Sequence, residues 1–138
     1  MCGICGIVSL QKQSFIDEAI VYKMNRALVH RGPDDEGYYF APTIGMGICR
    51  LSIIDLHTGK QPMHNEDRSL WVVFNGEIYN YKELRQELIQ RGHQFYTLSD
   101  TEVLVHAYET WGDEFLLKLN GMFALALWDE KSQQLLLA

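Results

Sequence analysis

Five consecutive apolar residues, LWVVF at positions 70–74, leave a strand no polar face to turn to water, so other elements of the fold must cover it. This buried strand is expected to end at Asn75–Gly76. Asn80 with Glu83 three positions on then caps a helix that runs through Leu84 and Leu88 to Gly92. The plan repeats downstream. HQFYTL reads as a strand, Ser99 with Glu102 as a capping box, and Val103, Leu104, Ala107, Tyr108 and Trp111 as the apolar stripe of a second helix. A short helix at EFLLKL, a strand at MFALALW, a turn at DEKSQQ and a last strand at LLLA follow.

The N-terminal half has the same texture. ICGIVSL reads as a short buried strand, and Ser14 with Asp17 as a capping box. The helix it opens carries Phe15, Ile16, Ala19, Ile20, Met24, Ala27 and Leu28 at helical spacing. HRGPDDEG has the chemistry of a turn, YYF and IGMGICRLSII look extended, and residues 55–69 read as an irregular loop of the kind that carries function. Short strands mixed with amphipathic helices predict an α+β fold of packed layers. A chain of 138 residues can bury one such core, which makes it a single domain or less.

Composition excludes several classes of function. At 47% apolar and 22% charged the chain is unlike a disordered one. With a net charge of -6 and twelve scattered Lys and Arg residues, it has no basic stripe for nucleic acid or anionic lipid. No apolar run reaches membrane-spanning length and the start lacks the pattern of a secretory signal, so a cytoplasmic location is expected. The three cysteines, an odd number, fit reduced thiols better than a disulfide framework.

Cys2 and Cys5, in MCGICGIV, pose the sharpest chemical question. Zinc wants two close pairs of ligands, and only Cys49 and isolated histidines remain for the second pair. A redox CxxC wants its first thiol at a helix N-terminus, whereas GIVSL follows here and reads as strand. Cys5 is then a small buried residue. For Cys2 two readings stay open, a buried edge-strand cysteine or a reactive chain end. Removal of Met1 would leave it with both a thiol and a free α-amine. An ordinary α-amine titrates near about 7.7–8.0 and an ordinary thiol near about 8.5, so the amine can take the thiol proton at neutral pH. One residue then supplies nucleophile and base for acyl transfer.

Taken in order, MCGICGI, HRGPDDEG, RLSIIDL, GKQPM, FNGEIYNY, SDTEV and NGMFALALWD resemble the glutaminase domain of glutamine-hydrolysing asparagine synthetases, a class II glutamine amidotransferase. The resemblance covers essentially the whole chain and implies an α+β, four-layer αββα N-terminal-nucleophile hydrolase fold. It implies that Cys2 attacks the side-chain amide of glutamine, that the Asn75 side chain and the Gly76 N–H hold the oxyanion, and that Arg50 binds the substrate carboxylate. Asp100 is implied to bind the substrate ammonium group, with Glu77 adding to that recognition. His30 and Arg31 shape the pocket wall. Relatives commonly carry a histidine two residues before the pocket arginine, where this chain has Ile48.

The resemblance further implies that residues 1–138 are an incomplete class II amidotransferase domain, truncated at its C-terminal end, with the synthetase domain absent. No cofactor or metal is expected in this chain, since ATP and Mg would belong to that synthetase domain. The expected partners are L-glutamine and the absent C-terminal synthetase domain, with no nucleic acid and no membrane. Self-association at the cut end is a further expectation, and the rival to enzymatic function is a non-catalytic regulatory or assembly module of the same fold.

Overall fold

The computed structural model describes residues 2–10, 15–51 and 59–138. Its strands form two antiparallel sheets. One contains β1 (Gly3–Val8), β2 (Asp35–Ala41) and β3 (Ile44–Arg50) in the order β1-β3-β2. The other contains β4 (Met63–His64), β5 (Leu70–Ile78), β6 (Gly121–Asp129) and β7 (Gln134–Leu137) in the order β4-β5-β6-β7. Helix α1 (Glu18–Arg26) packs on β1 and β3, and β1 and β3 in turn face β5. On the far side α3 (Asp100–Trp111) lies on β4 and β5, with α2 (Tyr81–Gln90) beside it. The layers therefore run α, β, β, α.

The apolar run LWVVF at 70–74 sits in the middle of this stack. Val72 and Phe74 point to the helices and join Leu84, Leu88, Val103, Leu104 and Leu127. Val73 points the other way and joins Ile44, Met46, Ile48 and Trp128 between the sheets. Side chains alternate along a strand, so a strand with cover on both faces has no reason to alternate in polarity.

Helix α1 departs from its expected stripe. Phe15 is 81% exposed and Ile20 46%, while Val21 and Asn25 are fully buried. Asn25 Nδ2 donates to Ile48 O (3.2 Å) and Tyr38 Oη (3.0 Å), and Asn25 O accepts from the Cys49 thiol (3.0 Å). A polar residue wired into the sheet anchors the helix, and hydrophobic spacing cannot reveal it. The helix is capped by Asp17, whose Oδ1 accepts from Ala19 N (2.9 Å). Ser14, like residues 52–58 of the LSIID motif and the following loop, lies outside the described residues.

Further expectations need correction. HQFYTL is not a strand, because the Tyr96 and Thr97 N–H groups donate to the carboxylate of Glu102 (2.7 Å each) rather than to a neighbouring strand. Ser99 does cap α3, its Oγ accepting from Thr101 N (3.2 Å), but Glu102 turns to residues 96–97 instead of closing a box. Asn80 likewise stands at the start of α2 without capping it. Its side chain ties Lys118 O and Asn120 N instead (2.9 Å each). The loop expected over residues 55–69 contains, in its described part, the short β4 with Met63 buried.

Glu102 is fully buried. Burial alone would push its carboxyl up, yet His106 and the donors at residues 96–97 hold it below the ordinary glutamate range. Glu102→Ala would orphan those N–H groups and leave a void. A loss of about 2–4 kcal/mol in unfolding free energy is expected by urea titration. A change below about 0.5 kcal/mol would contradict this account of the 93–99 segment.

Candidate active site

Cys2 stands immediately before β1, whose pairing with β3 sets Gly3 against Cys49 and Ile4 against Ile48. Carried one residue on, that register sets Cys2 opposite Arg50, the last residue of β3. The Leu51 N–H donates to its Sγ at 3.4 Å, and the thiol lies 3.7 Å from Leu51 O. Arg31 Nε donates to Cys2 O at 3.1 Å, so the HRGPDD segment holds the residue from the other side. Cys5, three residues on, points to the opposite face, where its Sγ approaches Asn25 Oδ1 (3.8 Å). Residues three apart on an extended chain cannot share one ligand. Burial, with the neighbouring Cys49 thiol, pushes the Cys5 thiol up and keeps it neutral.

The ends of β3 and β5 and the start of α3 enclose a cavity of about 300 Å³. Cys2, Arg50, Asn75, Gly76, Glu77 and Asp100 all line it, so the structure brings the six sequence-derived candidates together. Arg50 is the last residue of β3, Asp100 the first of α3, and both are buried. Asp100 Oδ2 accepts from Ile78 N at 3.0 Å, and Ser99 Oγ lies 3.5 Å from Oδ1. Burial pushes the Asp100 carboxyl up, and the Ile78 N–H pulls it only part of the way back.

Asn75 and Gly76 do not end the strand. They continue β5, opposite Ala124 and Phe123 of β6, through to Ile78. A Cβ on Gly76 would stand 2.2 Å from Met122 O and 2.6 Å from Phe123 Cα, so the glycine is there for close approach of β6 and not for a turn. The Asn75 Oδ1 is buried and has no hydrogen-bond partner among the described residues.

Gln61, within GKQPM, carries no sequence signal that marks it as part of the site. Its side chain reaches the cavity wall, where Nε2 donates to Phe74 O (3.1 Å) and Oε1 accepts from Phe74 N (2.7 Å). Neither His30 nor Arg31 lines the cavity, contrary to expectation: His30 Nδ1 lies 3.1 Å from Ala27 O, and Arg31 acts one step back through the Cys2 carbonyl, a contact with no signal in the sequence. Ile48 is fully buried between the sheets. No helix among the described residues is long and apolar enough to cross a membrane. The cavity thus offers a thiol, one buried cation and one buried anion within the volume of a small metabolite.

Known proteins share this organisation. A family model described as a glutamine amidotransferase domain matches residues 1–138. Asparagine synthetase [glutamine-hydrolyzing] 1 of Bacillus subtilis is 45% identical over 137 residues, covering 98% of this chain and 22% of that protein. Asparagine synthetase [glutamine-hydrolyzing] 2 of Oryza sativa subsp. japonica is 40% identical over 138 residues, covering 100% of this chain and 23% of that protein. The chain thus spans about a fifth of the length of these relatives. Among solved structures, glutamine phosphoribosylpyrophosphate amidotransferase from B. subtilis, complexed with ADP and GMP, superposes with a TM-score of 0.70 at 22% identity, covering 94% of this chain and 35% of that one. At that identity the likeness carries the fold alone, and it is the N-terminal-nucleophile fold. Layers, sheet order and family match agree, and the chain belongs to the glutamine amidotransferase domain family.

Proposed function

We propose that residues 1–138 form a class II glutaminase domain that hydrolyses L-glutamine to glutamate and ammonia, with Cys2 as the nucleophile once Met1 is removed. The observation that carries the reading is the convergence of Cys2, Arg50, Asn75, Gly76, Glu77 and Asp100 on one cavity. The Cys2 α-amine takes the thiol proton, and Sγ attacks the amide carbon of the glutamine side chain. The resulting oxyanion is held by the Asn75 side-chain amide and the Gly76 N–H, donors fixed by β5 before the charge appears. The carbon–nitrogen bond then breaks, the proton passes to the leaving nitrogen, and ammonia departs from a γ-glutamyl thioester. Water cleaves the thioester, giving glutamate and the free thiol.

Arg50 binds the substrate carboxylate, its planar fork matching the two oxygens. Asp100 and Glu77 bind the ammonium group. Ammonia is passed to an asparagine-synthetase-type domain, a reading supported by the names of the relatives and the fifth of their length that this chain spans. A non-catalytic assembly module would have no use for opposite charges buried around a thiol, which favours the enzyme.

The test is glutamine binding in a Cys2→Ala background by isothermal titration. Arg50→Ala and Asp100→Asn are each expected to weaken it by about 2–5 kcal/mol. Equal affinity in either variant would remove that residue from the site. The pH dependence has a definite sign. Asp100 must be ionised to hold an ammonium group, and burial raises its pKa above 3.8. Affinity is therefore full well above that raised value and falls as pH drops through it, earlier than for an ordinary aspartate. Asp100→Asn should bind weakly with that acid limb gone.

A further inference from the structure

Away from the cavity, on the outer side of α3, a second group of side chains converges. His106 is fully buried, and its Nδ1 lies 3.2 Å from Glu109 Oε2 and 3.6 Å from Glu66 Oε2. His93 Nδ1 lies 3.5 Å from the same Glu109 Oε2. One ligand atom from each of Glu66, His93, His106 and Glu109 falls within 4.8 Å of all the others. We propose that these four side chains bind a divalent transition-metal ion of the zinc type, joining the 64–69 loop and the turn after α2 to α3.

The outer partners of the four residues carry the proposal beyond a plain ion-pair network. His106 Nε2 faces the buried Glu102 Oε1 at 3.6 Å, and His93 Nε2 is 2.8 Å from Thr110 Oγ1. The His93 ring is held from behind at Nε2 by Thr110. The His106 Nε2 is buried with no hydrogen-bond partner among the described residues and the Glu102 carboxylate nearby, and both rings present Nδ1 to the carboxylates. Metal-binding histidines are oriented in this way, by a carboxylate or hydroxyl on the distal nitrogen. The carboxylates are positioned too. Asn65 Nδ2 donates to Glu109 Oε1 (2.8 Å), and Gln94 N donates to Glu66 Oε1 (2.9 Å), each leaving Oε2 toward the histidines. The Glu66 and Glu109 side chains are 43% and 29% exposed, which gives an ion a way in. Two imidazole nitrogens with two carboxylate oxygens suit zinc and its neighbours, whereas magnesium and calcium prefer oxygen throughout. Ligands bound tetrahedrally at about 2.0–2.2 Å stand roughly 3.3–3.6 Å apart, and the separations of 3.2, 3.5 and 3.6 Å here are already close to that, so binding draws in only the wider pairs. Sequence spacing hides the site because its ligands come from three separate segments.

The experiment is titration of the whole protein with zinc chloride by calorimetry, and with cobalt(II) by visible absorption. One zinc per chain is expected, with a thermal midpoint raised by several degrees in excess zinc. The cobalt spectrum should be that of nitrogen and oxygen ligands without a thiolate charge-transfer band. His93→Gln and Glu109→Gln, both at partly exposed positions, should each weaken zinc at least about tenfold. Cys5→Ser should bind as the parent does. Absence of stoichiometric zinc, affinity unchanged in both variants, or a thiolate band that disappears in Cys5→Ser would each overturn the proposal. Should either variant fail to fold, the cobalt spectrum of the parent decides.

Discussion

Cys2→Ala is expected to reduce glutamine hydrolysis by at least about 10⁴-fold while leaving glutamine affinity nearly unchanged. The asymmetry follows from the positions of the groups. Cys2 brings a thiol to the cavity lining, whereas the buried charges there belong to Arg50 and Asp100. Removing the thiol takes away the bond-forming atom and none of the charged contacts. A version that retains any residue before Cys2 should fail in the same way although folded, because a peptide-bonded nitrogen cannot act as a base. Glutamate release under saturating glutamine measures the first effect, and titration calorimetry checks the second. Turnover above about 1% of the parent in Cys2→Ala, or undiminished hydrolysis by a verified N-terminally extended form, would remove Cys2 from the role of nucleophile.

A large effect on the fold is expected at Gly76. A methyl group there would stand 2.2 Å from Met122 O and 2.6 Å from Phe123 Cα, both backbone atoms of the paired strand that cannot swing aside. Gly76→Ala must therefore separate β5 from β6 at the centre of the second sheet, at a cost of about 2–4 kcal/mol. The control is Gly92→Ala, where φ is +102° and nothing lies within 4 Å of the added carbon, so only the backbone conformation resists, at roughly 1 kcal/mol. Urea unfolding separates the two. If Gly76→Ala were as stable as Gly92→Ala, the close approach of β6 would not be the reason for the glycine.

Much of the architecture was legible because it follows from local chemistry. The apolar strand at 70–74, the stripe Val103, Leu104 and Ala107, and the strand around Leu125 and Leu127 are buried as their patterns require. The six candidate residues could be named, and they meet in one cavity, because strand ends and a helix start carry them there. Illegible features depend on partners far away in the chain. Asn–Gly usually marks a turn, but at 75–76 pairing with β6 overrides it. HQFYTL has the composition of a strand, but a carboxylate from α3 takes its N–H groups first. Helix α1 turns its apolar Ile20 to solvent because Asn25 is held by Ile48 and Tyr38.

Gln61 has a consequence for how this protein behaves among other chains. Met63 pairs with Val72, and the same register carried two residues on would set position 61 opposite Phe74. There the side-chain amide of Gln61, and not its backbone, supplies both bonds to Phe74, imitating the peptide group of a strand that has already stopped. Its own carbonyl turns toward the other sheet, filling the place where a Cβ of Gly37 would be. One amide thereby blocks the position at which a foreign strand could add to β5. Gln61→Leu would expose an unpaired donor and acceptor beside the cavity mouth, and the protein would then carry a template for aggregation at the place where it is meant to admit a small molecule.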